Sequence, residues 1–89
     1  MISKTTREFR ELLSGPPAYI QRQAREAYAL FHQNPPHPGL RFRQVRPTPP
    51  IYSARVGISY RAVGVRDADT VTWFWIGSHA EYDRLLWML

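Results

Sequence analysis

Four side chains of this sequence have the types and spacing that phosphate chemistry needs. Arg55 and Arg61 flank a short segment that contains a glycine, and His79 precedes Tyr82 by three positions. A guanidinium group grips a phosphate through a planar fork of donors, and an imidazole exchanges protons near neutral pH. We therefore interpret His79, Arg61, Arg55 and Tyr82 as candidate catalytic residues, with His79 as the acid or base. Tyr82 would donate to a phosphate or stack on a base, and filling the core is an equally good interpretation of that residue.

The loop between the two arginines decides whether they can act together. If residues 57–59 form a three-residue hairpin loop, Arg55 and Arg61 pair directly across two strands and share one face of a sheet. Gly57 or Ser59 would supply the positive φ that such a loop requires. The two guanidinium groups would then repel each other unless an anion lay between them. A two-residue turn would instead put them on opposite faces, where each is only solvated.

His79 follows a helix-start signal. Ser78 and Glu81 have the spacing of a capping box, which puts His79 in the first turn of a helix. The positive end of the helix dipole favours a neutral imidazole there, and the free amides attract an anion. Taken alone, a histidine at this position is more often a surface residue. His32, near a helix end, and His37, in a proline-rich loop, are weaker candidates.

The charge distribution predicts a positive face. The chain has 12 Lys and Arg against 7 Asp and Glu, a formal charge of +5, and only one of the cations is lysine. The forty residues between Glu26 and Asp67 contain no acid. The arginines of that stretch are Arg41, Arg43, Arg46, Arg55, Arg61 and Arg66. Such a block is typical of a protein that binds a polyanion, although a solvated surface or a patch for an acidic protein would give the same pattern.

Several function classes are excluded or disfavoured by what the sequence lacks. There is no cysteine, so neither a disulfide nor a thiolate metal site can form. We find no phosphate-binding glycine loop, dinucleotide fingerprint, zinc spacing or nucleophile elbow, and we expect no cofactor and no metal. No apolar run is long enough to span a membrane, and the first residues do not read as a secretion signal. We expect one soluble, cytoplasmic domain over residues 1–89 with no membrane partner.

The first third of the chain predicts two antiparallel helices. Thr5 and Glu8 fit a capping box for the first helix, and the Gly-Pro-Pro of residues 15–17 ends it. Pro17 suits the first position of a second helix, whose apolar stripe runs to Phe31. The link between the two helices is short, so we expect a helical hairpin.

The remainder predicts strands and one short helix. The segments with strand character are Leu40–Val45, Ile51–Val56, Tyr60–Val65 and Thr70–Ile76. The last strand is apolar on both faces, so we expect it inside the sheet with Trp73, Phe74 and Trp75 in the core. A final helix would turn Tyr82, Leu85, Leu86 and Leu89 inward, while Trp87 fits either the core or a partner contact. The fold class is α+β, an N-terminal helical hairpin packed on a three- to four-stranded antiparallel sheet with a short C-terminal helix.

Four segments resemble a known family. They are residues 38–40 (Pro-Gly-Leu), 51–56 (Ile-Tyr-Ser-Ala-Arg-Val), 60–63 (Tyr-Arg-Ala-Val) and 75–82 (Trp-Ile-Gly-Ser-His-Ala-Glu-Tyr). Together they resemble the RelE/ParE superfamily of bacterial type II toxins, and the last segment is similar to its mRNA-interferase branch, which includes RelE, YafQ and HigB. The resemblance covers nearly the whole chain, with the first strand reduced to residues 1–3, and it implies a RelE-like fold.

The resemblance implies a toxin that enters the ribosomal decoding site and cuts messenger RNA without a metal, by attack of a ribose 2′-OH. It implies a cognate antitoxin that masks the site, and operator DNA binding only through the toxin–antitoxin complex. Arg61 matches the phosphate-stabilising arginine of the family, Arg55 a basic strand position and His79 the late acid/base histidine. Tyr82 approximates an aromatic position shortly after that histidine.

Further cations are assigned to RNA binding, and two positions depart from the family pattern. The RNA-binding candidates are Arg41, Arg43, Arg46 and His37. Ser53 stands where many relatives carry a second base, and Ala80 where many carry an arginine. Two alternatives stay open: a toxin of the ParE kind that inhibits gyrase, and a non-catalytic corepressor that acts with its antitoxin on DNA.

Overall fold

A computed structural model describes the whole chain, residues 1–89. Its helices and strands follow one another in an α+β order. In chain order the elements are β1 (Ile2–Thr5), α1 (Arg7–Leu13), α2 (Ala18–Gln33), a 3-10 turn (Pro38–Leu40), β2 (Arg43–Arg46), β3 (Ile51–Val56), β4 (Tyr60–Asp67), β5 (Thr70–Ser78) and α3 (His79–Met88). The predicted fold class is confirmed. No helix has the combination of length and hydrophobicity that crossing a bilayer demands.

The sheet has five strands in the order β1-β5-β4-β3-β2. Strands β2 to β5 pair antiparallel in chain order, and β1 joins the far edge parallel to β5. The sequence had suggested only a reduced first strand over residues 1–3, whereas the strand extends to Thr5, which pairs with Trp73. Because β5 therefore lies between two strands, its apolar character on both faces is explained.

Two helix starts differ from the sequence prediction. Thr6, not Thr5, is the N-cap of α1, and its hydroxyl accepts a hydrogen bond from the amide of Phe9 at 3.1 Å. Thr5 is unavailable because its backbone belongs to β1. Pro17 is the N-cap of α2 rather than its first residue. Each boundary moves by one position, and for α1 the reason is that pairing with β5 takes up the chain ahead of the helix.

The segment before β2 is a turn rather than the beginning of a strand. The sequence predicted a strand over residues 40–45, but Leu40 ends the 3-10 turn and is buried in the core. His37 begins that turn, and its Nδ1 accepts a hydrogen bond from the amide of Gly39 at 3.0 Å. Arg41 then adopts a left-handed conformation with φ 46°. The strand itself begins at Arg43.

The core has one part on each face of the sheet. Helices α1 and α2 cover the first face, where ten buried residues, Trp73 among them, form the larger cluster. Helix α3 covers part of the second face, where Tyr82 packs with Ile51 and Val63. A bulge in β5, opposite Val63 and Gly64, changes the alternation of its side chains, so Phe74 and Trp75 pack on the second cluster.

The end of α3 departs from its predicted packing. Leu85 and Leu86 pack against the second cluster as expected. Leu89 was predicted to face inward, and that is wrong, since it is about half exposed. Trp87 is 90% exposed, which resolves the two interpretations in favour of a surface position. Tyr82 and Leu85 pack against the sheet, whereas the side chains of the last turn of α3 are exposed to solvent.

Candidate active site

A cationic cleft lies on the second face of the sheet, between strands β2, β3 and β4 and the first turn of α3. Its volume is about 420 Å³. The residues that line it are Arg41, Phe42, Arg43, Ser53, Arg55, Arg61, His79 and Tyr82. Four of these carry guanidinium groups and none carries a carboxylate. The cleft therefore concentrates positive charge around a space with no internal counter-ion.

The hairpin between β3 and β4 brings two of the arginines together. Residues 57–59 form the three-residue loop, with Gly57 at φ +60°. Arg55 pairs directly with Arg61 across the ladder, and both side chains line the cleft. The Nε of Arg55 donates to the carbonyl of Gly57 at 2.9 Å, and an Nη of Arg61 donates to the carbonyl of Tyr60 at 2.9 Å. The predicted register is confirmed.

The surroundings of Arg61 disfavour the charged form of its guanidinium group. Partial burial lowers the pKa of the Arg61 guanidinium below its ordinary value, and the positive charge of Arg55 adds to this effect. Arg41 and Arg43 lower the pKa in the same direction. Like charges held this close raise the energy of the empty cleft. An anion in the cleft would relieve that repulsion, so the electrostatics favour binding of a phosphate.

A capping box fixes the start of α3 beside the cleft, as the sequence predicted. The hydroxyl of Ser78 accepts from the amide of Glu81 at 3.2 Å, and Glu81 Oε1 accepts from the amide of Ser78 at 2.8 Å. These bonds from Ser78 hold the pKa of the Glu81 carboxyl below its ordinary value. The amide of His79 donates to the carbonyl of Ser59 at 2.9 Å, which ties α3 to the hairpin loop.

His79 presents its ring at the open side of the cleft. The side chain is 57% exposed, and its Nε2 lies 3.8 Å from Oδ2 of Asp83, one turn along α3. The ring centroids of His79 and Tyr82 are 6.1 Å apart. The imidazole of His79 therefore lies near the carboxylate of Asp83 and also lines the cleft with the arginines.

Tyr82 carries an unusual polar group. The residue is only 4% exposed, and its hydroxyl is the one buried side-chain oxygen or nitrogen that has no hydrogen-bond partner. A buried polar group without a partner costs about 1–3 kcal/mol. Tyr82 also lines the cleft, so its hydroxyl is the buried polar group of the protein that lies nearest to a possible ligand site without a partner of its own. The interpretation of Tyr82 as only a core residue leaves this hydroxyl unexplained.

Two residues assigned to RNA binding lie outside the cleft. Arg46 donates to the carbonyl of Leu86 at 2.6 Å and to that of Val45 at 2.8 Å, so it caps the end of α3. A register shift between Gln44 and Arg46 turns the strand at that point. His37 is engaged in its turn and does not line the cleft. Arg41 and Arg43, by contrast, do line it.

No site role was predicted for Phe42, which lines the cleft, or for Asp83, which contacts His79, and Ser53 was noted only as a departure from the family pattern. Phe42 forms one wall, held by a stack on Tyr52 with ring centroids 4.9 Å apart. Ser53 is buried and lies opposite Arg43 in the sheet. Asp83 stands four positions after His79, a spacing that signals contact on a helix. The position of Phe42 between Arg41 and Arg43 was the one sequence feature that could have indicated this wall of the cleft.

The site contains no cluster of metal-ligating side chains. The chain has no group of three or more histidine, cysteine, aspartate or glutamate side chains placed to hold a metal ion. The polar groups that line the cleft are instead donors: guanidinium groups, hydroxyls and an imidazole. A ligand that accepts many hydrogen bonds and carries negative charge matches this set.

Comparisons with known proteins agree with the fold and point to one family. The model of the ParE-like toxin domain matches residues 18–84. None of the curated protein sequences matches the chain. Among solved structures, RelE in a RelE–RelB complex from Pyrococcus horikoshii is similar with a TM-score of 0.69 at 17% identity, covering 86% of this chain and 92% of that chain.

Two further structures are similar over most of their length. RelE in the antitoxin–toxin complex from Methanococcus jannaschii has a TM-score of 0.72 at 17% identity, covering 91% of this chain and 96% of that chain. YafQ from E. coli has a TM-score of 0.65 at 11% identity, covering 90% and 94%. At these identities the similarity concerns the fold.

Proposed function

We propose, from the premise that this chain belongs to the ParE-like toxin domain family, that it is the toxin of a toxin–antitoxin pair and cuts messenger RNA on the ribosome. The observation that supports this most strongly is the cleft. Four guanidinium groups, an imidazole and a buried phenol without a partner surround one space that contains no carboxylate. That is the donor set a phosphodiester needs.

The proposed reaction is an internal transfer at phosphorus. The ribose 2′-oxygen loses its proton to a base and attacks the adjacent phosphorus, forming a new P–O bond. The bond from phosphorus to the 5′-oxygen of the next nucleotide breaks, and that oxygen takes up a proton. The products are a 2′,3′-cyclic phosphate and a 5′-hydroxyl end. The enzyme must therefore move two protons and stabilise the extra negative charge at phosphorus.

The cleft residues divide these tasks. Arg61 and Arg55 face the same space and would hold the phosphate oxygens, with an effect that grows as charge develops in the transition state. His79 would transfer protons, a contribution of about 10²–10⁴ in rate. Asp83, whose carboxylate lies 3.8 Å from Nε2, would help to orient the imidazole. The hydroxyl of Tyr82 would donate to a phosphate oxygen and so gain the partner that it lacks.

The proposed partners follow from the same premise. Two of the similar structures are complexes of RelE with RelB, which supports a cognate antitoxin for this chain as well. The ribosome and its messenger RNA would contact the open side of the cleft, where Arg41 and Arg43 lie. Operator DNA would be bound only through the antitoxin complex. This function requires a cytoplasmic location.

A second candidate function, inhibition of DNA gyrase by binding, is favoured by one observation. The last turn of α3 exposes Trp87, Met88 and Leu89 together, and exposed apolar groups of this size suit a protein partner. In that case the cleft arginines would contribute charge without chemistry. A supercoiling assay responds to this function, whereas transcript cleavage does not.

Induced expression with mapping of transcript ends tests the proposal. The wild-type protein should arrest growth and create new ends within translated messages. The variant His79→Ala should keep its fold and lose at least tenfold of the cleavage. His32→Ala is the matched control, since His32 is exposed near the end of α2 and should cleave normally. Full cleavage by the folded His79→Ala variant would contradict the role of the imidazole.

A further inference from the structure

A second groove shares Arg55 with the cleft. It runs between α2, the 3-10 turn and the loop of the β3–β4 hairpin, with a volume of about 260 Å³. The residues that line it are Gln23, Glu26, Ala27, Leu30, Gly39, Leu40, Arg55 and Gly57. Arg55 is the one residue that lines both the groove and the cleft. A ligand held by Arg55 in the cleft would therefore lie next to this groove.

The hairpin loop fixes the junction of the two spaces. The Nε of Arg55 donates to the carbonyl of Gly57 at 2.9 Å, which holds the guanidinium along the loop. The side-chain amide of Gln23 lies over Gly57, where a Cβ atom would collide with it. The absence of a side chain at Gly57 thus lets α2 bring an amide group to the junction.

Two polar groups in the groove have no partner within the protein. The amide of Gln23 makes no side-chain hydrogen bond, in contrast to Gln21, whose amide donates to Ser14 and Pro16. Glu26 is exposed and forms no ion pair, although the chain carries five more cations than acids. The remaining lining is largely apolar, from Ala27, Leu30 and Leu40. An apolar floor with a few convergent polar groups is the usual form of a ligand subsite.

We propose that this groove binds the base of a nucleotide next to the phosphate held in the cleft, and that it favours adenine or cytosine over uracil. The inference rests on the proposed function, since it requires RNA in the cleft. A glutamine amide offers a donor beside an acceptor and pairs with the amino edge of adenine. The Glu26 carboxylate only accepts hydrogen bonds, so it matches the exocyclic amino group of adenine or cytosine. Uracil presents a carbonyl oxygen at that position, which the carboxylate repels.

Binding of dinucleotides to the full chain tests the inference. The probes are the 2′-O-methylated dinucleotides ApU, UpA, CpU, UpC and UpU, in which the 2′-oxygen cannot attack. Dissociation constants come from NMR titration, with the signals of Arg55, Arg61 and His79 reporting on the cleft and those of Gln23 and Gly57 on the groove. We expect adenine or cytosine on one side of the phosphate to bind about tenfold more tightly than UpU, the discrimination typical of one good base contact.

Two variants identify the groove as the source of that preference. Gln23→Leu should reduce the preference to less than twofold while the cleft signals still shift. Glu26→Gln changes an exposed side chain and leaves the fold intact, and it too should reduce the preference. Gln33→Leu, an exposed glutamine at the end of α2, is the matched control and should bind like the wild type.

The failures of the two proposals are distinguishable. If all dinucleotides shift the cleft signals with equal affinity, or if the preference survives in both groove variants, the groove does not read a base and only the present inference is overturned. If no dinucleotide shifts the cleft signals, the chain does not hold a nucleotide beside Arg55 by itself, and the inference is overturned. The proposed function is decided separately by the mapping of transcript ends.

Discussion

At the scale of single residues, the hydroxyl of Tyr82 is the most informative group. A core of this size gains nothing from a buried phenol that makes no hydrogen bond, because phenylalanine would fill the same space without the desolvation cost. The hydroxyl lacks a partner in the protein, and Tyr82 lines the cleft together with four arginines. Its presence is explained if a bound phosphate accepts a hydrogen bond from it.

Replacement of Tyr82 by phenylalanine should separate activity from stability. Tyr82→Phe should leave the free energy of unfolding unchanged or raise it by up to about 1 kcal/mol, while RNA cleavage falls at least tenfold, or about 1.4 kcal/mol. Urea unfolding and a cleavage assay measure the two effects. Tyr28→Phe is the control, because the Tyr28 hydroxyl donates to the carbonyl of Ser3 and Tyr28 does not line the cleft. This variant should lower the free energy of unfolding and leave RNA cleavage unchanged. A Tyr82→Phe protein with full activity would show that the hydroxyl has no role.

The residues of the site were only partly predictable from the sequence. Arg55, Arg61, His79 and Tyr82 could be grouped because hairpin pairing and helical spacing are local rules. Arg46 could not be separated from Arg43, because the register shift after Gln44 depends on packing against α3. Whether the Tyr82 hydroxyl has a partner depends on the whole environment of the cleft, which no spacing rule describes.

At the scale of elements, the first turn of α3 positions the chemistry. The capping box between Ser78 and Glu81 begins the helix at the point where β5 ends. The amide of His79 is held by the hairpin loop through Ser59. One short junction therefore sets both His79 and Tyr82 relative to the two arginines of the hairpin. Loosening this junction should affect activity more than overall folding.

The capping box also predicts how stability responds to acid. The pKa of Glu81 is lowered in the folded protein, so its charge stabilises the fold above the ordinary pKa of 4.5 and that contribution disappears as the pH falls through the lowered pKa. Glu81→Gln keeps an acceptor but removes the charge. The variant should be modestly less stable than the wild type at neutral pH, because solvent screens an exposed carboxylate, and this difference should disappear as the pH falls through the lowered pKa.

Urea unfolding across that pH range measures the difference. Ser78→Ala removes the hydroxyl half of the box, and it should cost about 1 kcal/mol. If the stability difference between Glu81→Gln and the wild type did not change with pH, the charge of Glu81 would not support the helix start.

The elements themselves were predicted unevenly. The three-residue loop and the capping box of α3 are short-range signals, and both were predicted correctly. Strand β1 was underestimated because it has four residues and pairs in parallel with β5, nearly seventy positions away. Helix α1 was displaced by one residue for the same reason, since the sheet takes up Thr5. Pairing between distant segments is what sequence periodicity does not report.

At the scale of the whole molecule, charge is divided between structural and free cations. Arg46 is held by two carbonyl groups, and Arg66 lies over the ring of Tyr52 at 5.3 Å. Arg41 and Arg43 line the cleft without a hydrogen bond to another side chain. Four arginines of the acid-free stretch, Arg41, Arg43, Arg55 and Arg61, therefore meet in the cleft, whereas Arg46 and Arg66 have structural contacts.

The salt dependence of RNA binding should reflect this division. For single-stranded RNA, the slope of log K against log salt falls by about 0.7 for each phosphate contact. Arg43→Ala should therefore reduce the slope by about 0.7, measured by fluorescence anisotropy with a labelled oligonucleotide. Arg46→Ala is the matched control and should leave the slope unchanged, because its guanidinium is already engaged. Equal changes for the two variants would mean that the cleft does not direct binding.

The chemistry of the product ends decides whether this cleft cuts RNA by internal transfer. Purified protein is mixed with ribosomes that carry a defined message, and the new ends are analysed. We expect a 2′,3′-cyclic phosphate on one fragment and a 5′-hydroxyl on the other, with both lost in Arg61→Ala. An intact message, or ends that carry a 3′-hydroxyl and a 5′-phosphate, would show that the cleft does not perform this reaction.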